Sequence, residues 1–389
     1  MRHLKILLGG LLAVLALAAC GPAVSQTWPG LATDGKLAFL AQGQQVHAVA
    51  VDTGLEQWKF PITPNNDTGQ FVAEPGVSAT TIVVGSEGAA KSYSGILYGL
   101  DPVTGLQKWC LAFDSRGTAK QASCKLASGD PLPNLFGIQF PAVDNRILGG
   151  IALTNGVAYV GLASGTVFAV NAETGADLWH FKAQRDVWGA PLVAGDIVYI
   201  TSLDHNVYAL ERATGHVKWQ KDLGAAVAGT PTLAGDTLYV GSFANQMVAL
   251  DAATGEKRWS FDEVTNWVWS GPAINQGVLY FTDVSGMVFA VNAETHQKIW
   301  SVKPGGLMRA RPVLAGDNLY VGDRSGGFYA LDPATGATRP GWPQTMKGQL
   351  LVPPVVAGDL IIAAPFSGDN LLVAYTPAGQ FKWPFAPSK

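Results

Sequence analysis

Short apolar runs separated by polar turns recur along nearly the whole chain. The clearest example is YVGSFANQMVALDAATGEKRW, from Tyr239 to Trp259. Two apolar runs flank a polar turn, and then Ala-Leu-Asp, Thr-Gly and a tryptophan follow. Trp179, Trp219, Trp259 and Trp300 close successive copies at spacings of 40, 40 and 41 residues. Trp342 and Trp383 extend the series downstream, and Trp58 and Trp109 extend it upstream. The first half of each copy repeats as well, as in PLVAGDIVYI (191–200), PTLAGDTLYV (231–240) and PVLAGDNLYV (312–321). Looser forms are IALTNGVAYV (151–160) and LATDGKLAFL (31–40).

Each first half reads as strand, tight turn, strand, because Gly-Asp and Asn-Gly tolerate the positive φ that hairpin turns require. A third strand follows, as in NVYALE (206–211), and a fourth, as in HVKWQK (216–221). Four short strands within about 40 residues make one propeller blade, and a fixed period of this kind dictates the fold. The expected structure is all-β: one eight-bladed β-propeller of four-stranded antiparallel blades over residues 28–389.

The repeated residues have expected structural roles. Ala48, Gly99, Ala169, Ala209, Ala249, Ala290, Ala330 and Ala374 share one position, where a small side chain is read as letting neighbouring sheets approach. Thr-Gly fills the turn between strands three and four in six of eight copies. His296 stands for that glycine in the sixth copy, and Ala378-Gly379 replaces the pair in the eighth. Trp58, Trp109, Trp179, Trp219, Trp259, Trp300, Trp342 and Trp383 are expected to pack between blades.

Two intervals break the period. Trp58 to Trp109 is 51 residues, with the excess divided between Pro61–Gln70 and Glu87–Gly95. Trp109 to Trp179 is 70, owing to an insertion at about 110–150 that holds Cys110, Cys124 and DPLPNLFGIQFP (130–141). Its Leu135, Phe136, Ile138 and Phe140 would either cap one mouth of the propeller, contact a partner, or fold back on their own blade.

Composition adds limits. The 389 residues are 48% hydrophobic and 14% charged, enough to fill a large core, and net charge is −3. No clustered Lys and Arg suggest a nucleic-acid surface. Residues 1–19 carry Arg2 and Lys5, then an apolar run and small residues, the layout of a secretory signal. Their removal shifts the charge from −3 to −5, because two basic residues leave and no acidic ones. In an exported chain Cys110 and Cys124 are read as a local disulfide, with two free thiols as the alternative.

The pattern Ala-Leu-Asp-x-x-Thr-Gly-x-x-x-Trp resembles the tryptophan-docking repeat of pyrroloquinoline-quinone (PQQ) type propellers. Leu17-Ala18-Ala19-Cys20 resembles a lipobox. That likeness implies a lipidated Cys20, a leash over 20–27 and tethering to a membrane by acyl chains. The plainer alternative is ordinary cleavage nearby. Together these features are similar to the BamB family of propeller lipoproteins. The resemblance implies a monomeric, non-enzymatic scaffold on the extracytoplasmic side of a bacterial membrane, at its periplasmic face or at the cell surface. Its partners would be envelope proteins, with a role in outer-membrane protein assembly.

The rival expectation is a PQQ or other small-ligand binder in the central channel, as a degenerate quinoprotein dehydrogenase. Quinoprotein dehydrogenases resemble this repeat, yet the sequence has no adjacent cysteine pair and no evident calcium-binding carboxylate set. Its six histidines show no metal-ligand spacing. The expectation is therefore no metal, no catalytic residue and no required cofactor.

One constellation remains. Three residues before each first strand stand Trp28, Val72, Leu148, Trp188, Ala228, Trp269, Arg309 and Leu351. At neighbouring positions of the same parity stand Arg146, Asp186, Trp267, Glu74 and Arg311. The candidate channel-mouth site is Asp186, Trp188, Trp267, Trp269, Arg309 and Arg311. Its residues would bind an anionic or aromatic ligand or a partner, or else simply plug the channel.

Cys20→Ser tests the anchor. The variant should move from the membrane pellet to the soluble extracytoplasmic fraction, and its persistence in the pellet would overturn the lipid-anchor reading.

Overall fold

The computed structural model describes residues 28–64, 68–88, 95–113, 119–121 and 144–387. Cys20, Cys124 and the apolar run 135–140 lie outside them. The described residues contain no helix. They form eight antiparallel blades in a β-propeller. Each blade is a contiguous piece of chain whose strands lie in sequence order, innermost first. Blade 4, for example, is Leu192–Ala194, Ile197–Thr201, Asn206–Glu211 and Val217–Asp222.

Two blades depart from four regular strands. Blade 2 gains a fifth, Ala119–Gln121, paired outside Gln107–Phe113. In blade 7 the fourth is reduced to Gln344–Thr345, because Pro340-Gly341 lengthens the preceding turn. A separate ribbon pairs Gln349–Leu350 with Pro365–Phe366 beside blade 8.

Burial follows the pattern of the sequence. The middle strands are buried on both faces, so they read as nearly continuous apolar runs. The outermost strands alternate and expose Lys, Gln and Asp.

The repeated small residue faces the next blade, as Ala209 does in its cluster with Leu238, Val240 and Leu250, and it has a second role within its own blade. It sits across the ladder from the tryptophan of its own blade, as in Ala209↔Trp219 and Ala249↔Trp259. An aromatic residue lies opposite on its other side, as in Tyr199↔Ala209 and Tyr239↔Ala249. Directly opposed side chains share a face, so a small residue in the middle lets the flanking rings meet. The Tyr199–Trp219 and Tyr239–Trp259 centroids are both 5.9 Å apart. In blade 2 the row is Val83, Gly99 and Trp109, and a Cβ on Gly99 would collide with the Trp109 ring.

Each ring then reaches the next blade. Trp179 Nε1 donates to Arg212 O at 2.8 Å, and Trp219 Nε1 donates to Ala252 O at 3.1 Å. The faces of these rings lie on the turn glycines, and a Cβ on Gly215 would stand 2.6 Å from Trp179. Those glycines also hold positive φ, 73° at Gly215 and 76° at Gly255. In the sixth copy His296 takes φ 62°, and its ring stacks on Trp259 at 4.4 Å. The last tryptophan closes the circle: Trp383 Nε1 donates to Val51 O at 2.8 Å, with its ring over Gly54.

His47, the polar exception on a third strand, is buried. Its Nδ1 lies 2.6 Å from Glu56 Oε1, and its ring edge meets Phe385 of blade 8. Burial lowers its pKa, and Glu56 opposes that shift. Cys110 is buried and disulfide-bonded.

Gly215→Ala and Gly195→Ala separate backbone strain from ring contact. Both glycines have positive φ, but nothing lies within 4 Å of a Cβ on Gly195. In urea unfolding Gly215→Ala should cost about 1–3 kcal/mol more than Gly195→Ala, the usual cost of overpacking. Equal losses would show that the tryptophan contact carries no weight.

Candidate functional site

Strand order fixes which residues share a face. The tight Gly-Asp and Thr-Gly turns lie at one end of every blade. The loops joining strands two and three lie at the other, with the connections that enter the next blade. On this connection face a repeated hydrogen bond ties each connection to the loop of the blade it enters. Leu203 N donates to Asp186 O, Phe243 N to Ala226 O, Val284 N to Trp267 O and Arg324 N to Leu307 O. The same geometry puts the described residues 61–64, 68–70, 87–88 and 144–150 on this face.

The eight positions counted back from Pro191 and its equivalents all line one central cavity of about 160 Å³, together with Glu74 and Arg311. Their side chains fill its mouth. The Arg309 Cζ lies over two rings, 3.6 Å from the Trp28 centroid and 3.8 Å from that of Trp269. Trp269 stacks with Trp188 at 6.1 Å and 22°. The blade between them contributes only Ala228, which leaves room for that contact. Trp28 and Trp188 also pack on Val72 and Leu148.

Of the neighbouring positions, Asp186 accepts from Trp188 Nε1 at 3.2 Å and so steers that ring. Glu74 projects into the lumen surrounded by protein, so desolvation raises its pKa, opposed by the nearby Arg311. Arg146 does not join the group. It pairs with Asp144, Nη2 to Oδ2 at 2.6 Å. Trp267 lies outside the cavity, stacked on Phe243 at 4.6 Å and 9°. It lines an adjoining groove of about 450 Å³ with Leu307, Arg309, Arg324 and Phe366. Phe243 went unnoticed in the sequence because it sits in a loop between strands two and three. The exact repeat of Leu203, Phe243, Val284 and Arg324 in register was the signal that would have found it.

Arg309 makes no hydrogen bond or ion pair among the described residues. Burial, with the charge of Arg324 adding, pulls its pKa down to about 9. A planar quinone does not fit this arrangement. The Arg309 guanidinium already occupies the space over the Trp28 and Trp269 rings, and the cavity is smaller than the roughly 300 Å³ at which pockets for drug-sized ligands begin. Among the described residues no group of three or more His, Cys, Asp or Glu is placed to hold a metal ion. No helix among them is long and apolar enough to cross a membrane.

Eight blades joined by tryptophan-to-turn contacts around a side-chain-filled channel define a PQQ-like repeat propeller. The chain belongs to the family described as outer membrane protein assembly factor BamB, whose sequence profile matches residues 137–339 and 285–387. Curated relatives carry the same description. The Burkholderia pseudomallei protein is 28% identical over 107 residues, 28% of this chain and 27% of that protein. The Salmonella typhimurium protein is 33% identical over 96 residues, 22% and 24% of the two chains. The Escherichia coli protein is 30% identical over 95 residues, again 22% and 24%. These alignments span about a quarter of the length of those relatives.

Among solved structures, BamB from Moraxella catarrhalis superposes with a TM-score of 0.67 at 20% identity, covering 88% of this chain and 94% of that one. A quinohemoprotein alcohol dehydrogenase from Pseudomonas putida also gives 0.67, at 14% identity, covering 92% and 75%. At such identities both likenesses show the fold alone.

Arg309→Met tests the unpaired cation. Its folded pKa lies below the ordinary arginine range. Above about pH 9 the unfolded chain therefore holds a proton that the folded chain has lost, and stability from this group rises with pH. The stability of the wild type minus that of Arg309→Met, from urea midpoints between pH 7.5 and 10.5, should increase through about 9. A flat difference would mean that the guanidinium keeps its ordinary pKa.

Proposed function

We propose that the chain is a non-enzymatic scaffold of the bacterial envelope that serves outer-membrane protein assembly. It would be held by a lipid at Cys20 on the extracytoplasmic side of a membrane and would meet envelope proteins through its connection face. The observation that carries this reading is the family match over 137–387, most of the described blades. The chemistry of the connection face supports it. Trp267 is 47% exposed and Leu307 50%, beside arginines, and tryptophan and arginine are the residues that dominate interface energetics.

A second reading keeps a ligand in the channel. Its support is the fold shared with the quinohemoprotein dehydrogenase and the stacked Trp188 and Trp269. Against it stands Arg309, which a planar cofactor would have to displace.

The test joins genetics with spectroscopy. Deletion in the native host should lower the amount of heat-modifiable, folded β-barrel proteins in the outer membrane, and the tagged chain should bring down envelope assembly proteins. Purified protein mixed with PQQ and calcium should gain neither a bound chromophore nor alcohol-dependent dye reduction. Unchanged barrel levels, or dehydrogenase activity on reconstitution, would overturn the scaffold reading.

A further inference from the structure

The groove beside the channel mouth carries an unbalanced charge. Its lining includes Arg309 and Arg324 and no aspartate or glutamate, although acidic residues outnumber basic ones in the whole chain. The Arg309 Cζ lies over both the Trp28 and the Trp269 ring, and the N–H donors of a guanidinium point outward in its own plane. No described residue accepts from them. Arg324 is exposed and gives one hydrogen bond, Nε to Gln349 Oε1 at 3.1 Å. Two guanidinium groups beside each other, one unpaired and half-buried, make a site for an anion. The planar donor fork suits a carboxylate in particular.

The surroundings say what bears that carboxylate. Trp267 stands on the connection into blade 6, Leu307 on the connection into blade 7, and Phe366 beside blade 8. Apolar surface thus lies on both sides of the arginines and opens to solvent. A chain crossing these two connections toward the blade 8 loop sets apolar side chains on Trp267 and Phe366 while its middle residue reaches Arg309. Small free anions would use the charge and leave the exposed rings uncovered.

We propose that this groove binds an extended segment of a partner protein in which an aspartate or glutamate is flanked by bulky apolar residues, its carboxylate held by Arg309 and Arg324. The inference rests on the reading of the connection face as the partner surface.

The full chain is titrated by fluorescence anisotropy with a labelled, acetylated and amidated peptide Val-Phe-Asp-Val-Phe and with its Asn counterpart. Citrate and acetate serve as competitors. The acidic peptide should bind at least about tenfold more tightly than the Asn form, as expected for a charge-assisted hydrogen bond. Raised salt should weaken it. Arg324→Ala lies on the surface and should fold normally, and it should lose at least about tenfold. Arg309→Lys keeps the charge but not the planar fork, and should lose affinity while near-UV circular dichroism confirms folding. Equal binding of the two peptides, no binding of either, or citrate binding as tightly as the peptide would each overturn the proposal.

Pull-down with Arg324→Ala separates this from the scaffold reading. Retained envelope partners with lost peptide binding sink only the groove. Peptide binding without any envelope partner in the wild-type pull-down, and with normal barrel assembly on deletion, sinks only the assembly role.

Discussion

Everything in this molecule depends on a tryptophan reaching the turn of the following blade. Each blade is a contiguous stretch, so no blade combines strands from the two ends of the described chain. Backbone pairing therefore cannot close the ring. Closure falls to side chains: Trp383 on Val51 and Gly54, and the apolar packing of Leu31, Leu40 and Val49 against Ile362, Leu372 and Phe385. Losing a packed tryptophan costs about 3–5 kcal/mol in a protein core. At the closing contact the effect would reach both ends of the sheet array. The demand also explains the composition of the repeat. The ring needs a small partner on its own blade and, in six of the eight copies, a glycine with positive φ on the next, so three positions are chosen together in those copies.

The centre obeys a second constraint. Eight inner strands bring eight side chains to one axis, and their volumes must add up to a filled mouth. Ala228 is small where Trp188 and Trp269 are large, and Val72 and Leu148 pack beneath Trp28. An arginine among tryptophans is a costly way to fill space, since its charge loses solvation. The two ring faces return part of that loss, because a cation over tryptophan gains about 0.5–2 kcal/mol. The edge of the guanidinium remains unserved by protein. That is an odd choice for a plug and a reasonable one for a recognition site.

The sequence was most informative where geometry repeats. The period gave the number of blades, and counting back from Pro191 and its equivalents placed all eight channel residues correctly. It was less informative where contacts cross between copies. Arg309 meets Trp28 because ring closure leaves only blade 8 between blades 7 and 1, although the two residues lie far apart along the described chain. The alanine of Ala-Leu-Asp packs toward the next blade, and the pattern along the chain does not show that it also lies between two rings of its own blade. Seeing this needs the register, Tyr199 to Ala209 to Trp219, which follows only once the turns are known. Trp267 shares parity with Trp269 but lies five residues before its strand, far enough out to leave the channel and stack on Phe243.

These two sets of positions barely overlap, and that separation bears on how one fold serves both an assembly factor and a dehydrogenase. The tryptophan, the small residue and the turn glycine sit on the outer strands and the far turns. The residues at the axis sit near the end of each connection, just before the first strand, one per blade. Exchanging the axial residues leaves every docking contact in place. A scaffold of this kind can therefore lose a cofactor slot, or gain a charged groove, through substitutions at a few axial positions. In this chain Arg309 is such a position: it packs against the Trp28 and Trp269 rings and at the same time lines the groove outside.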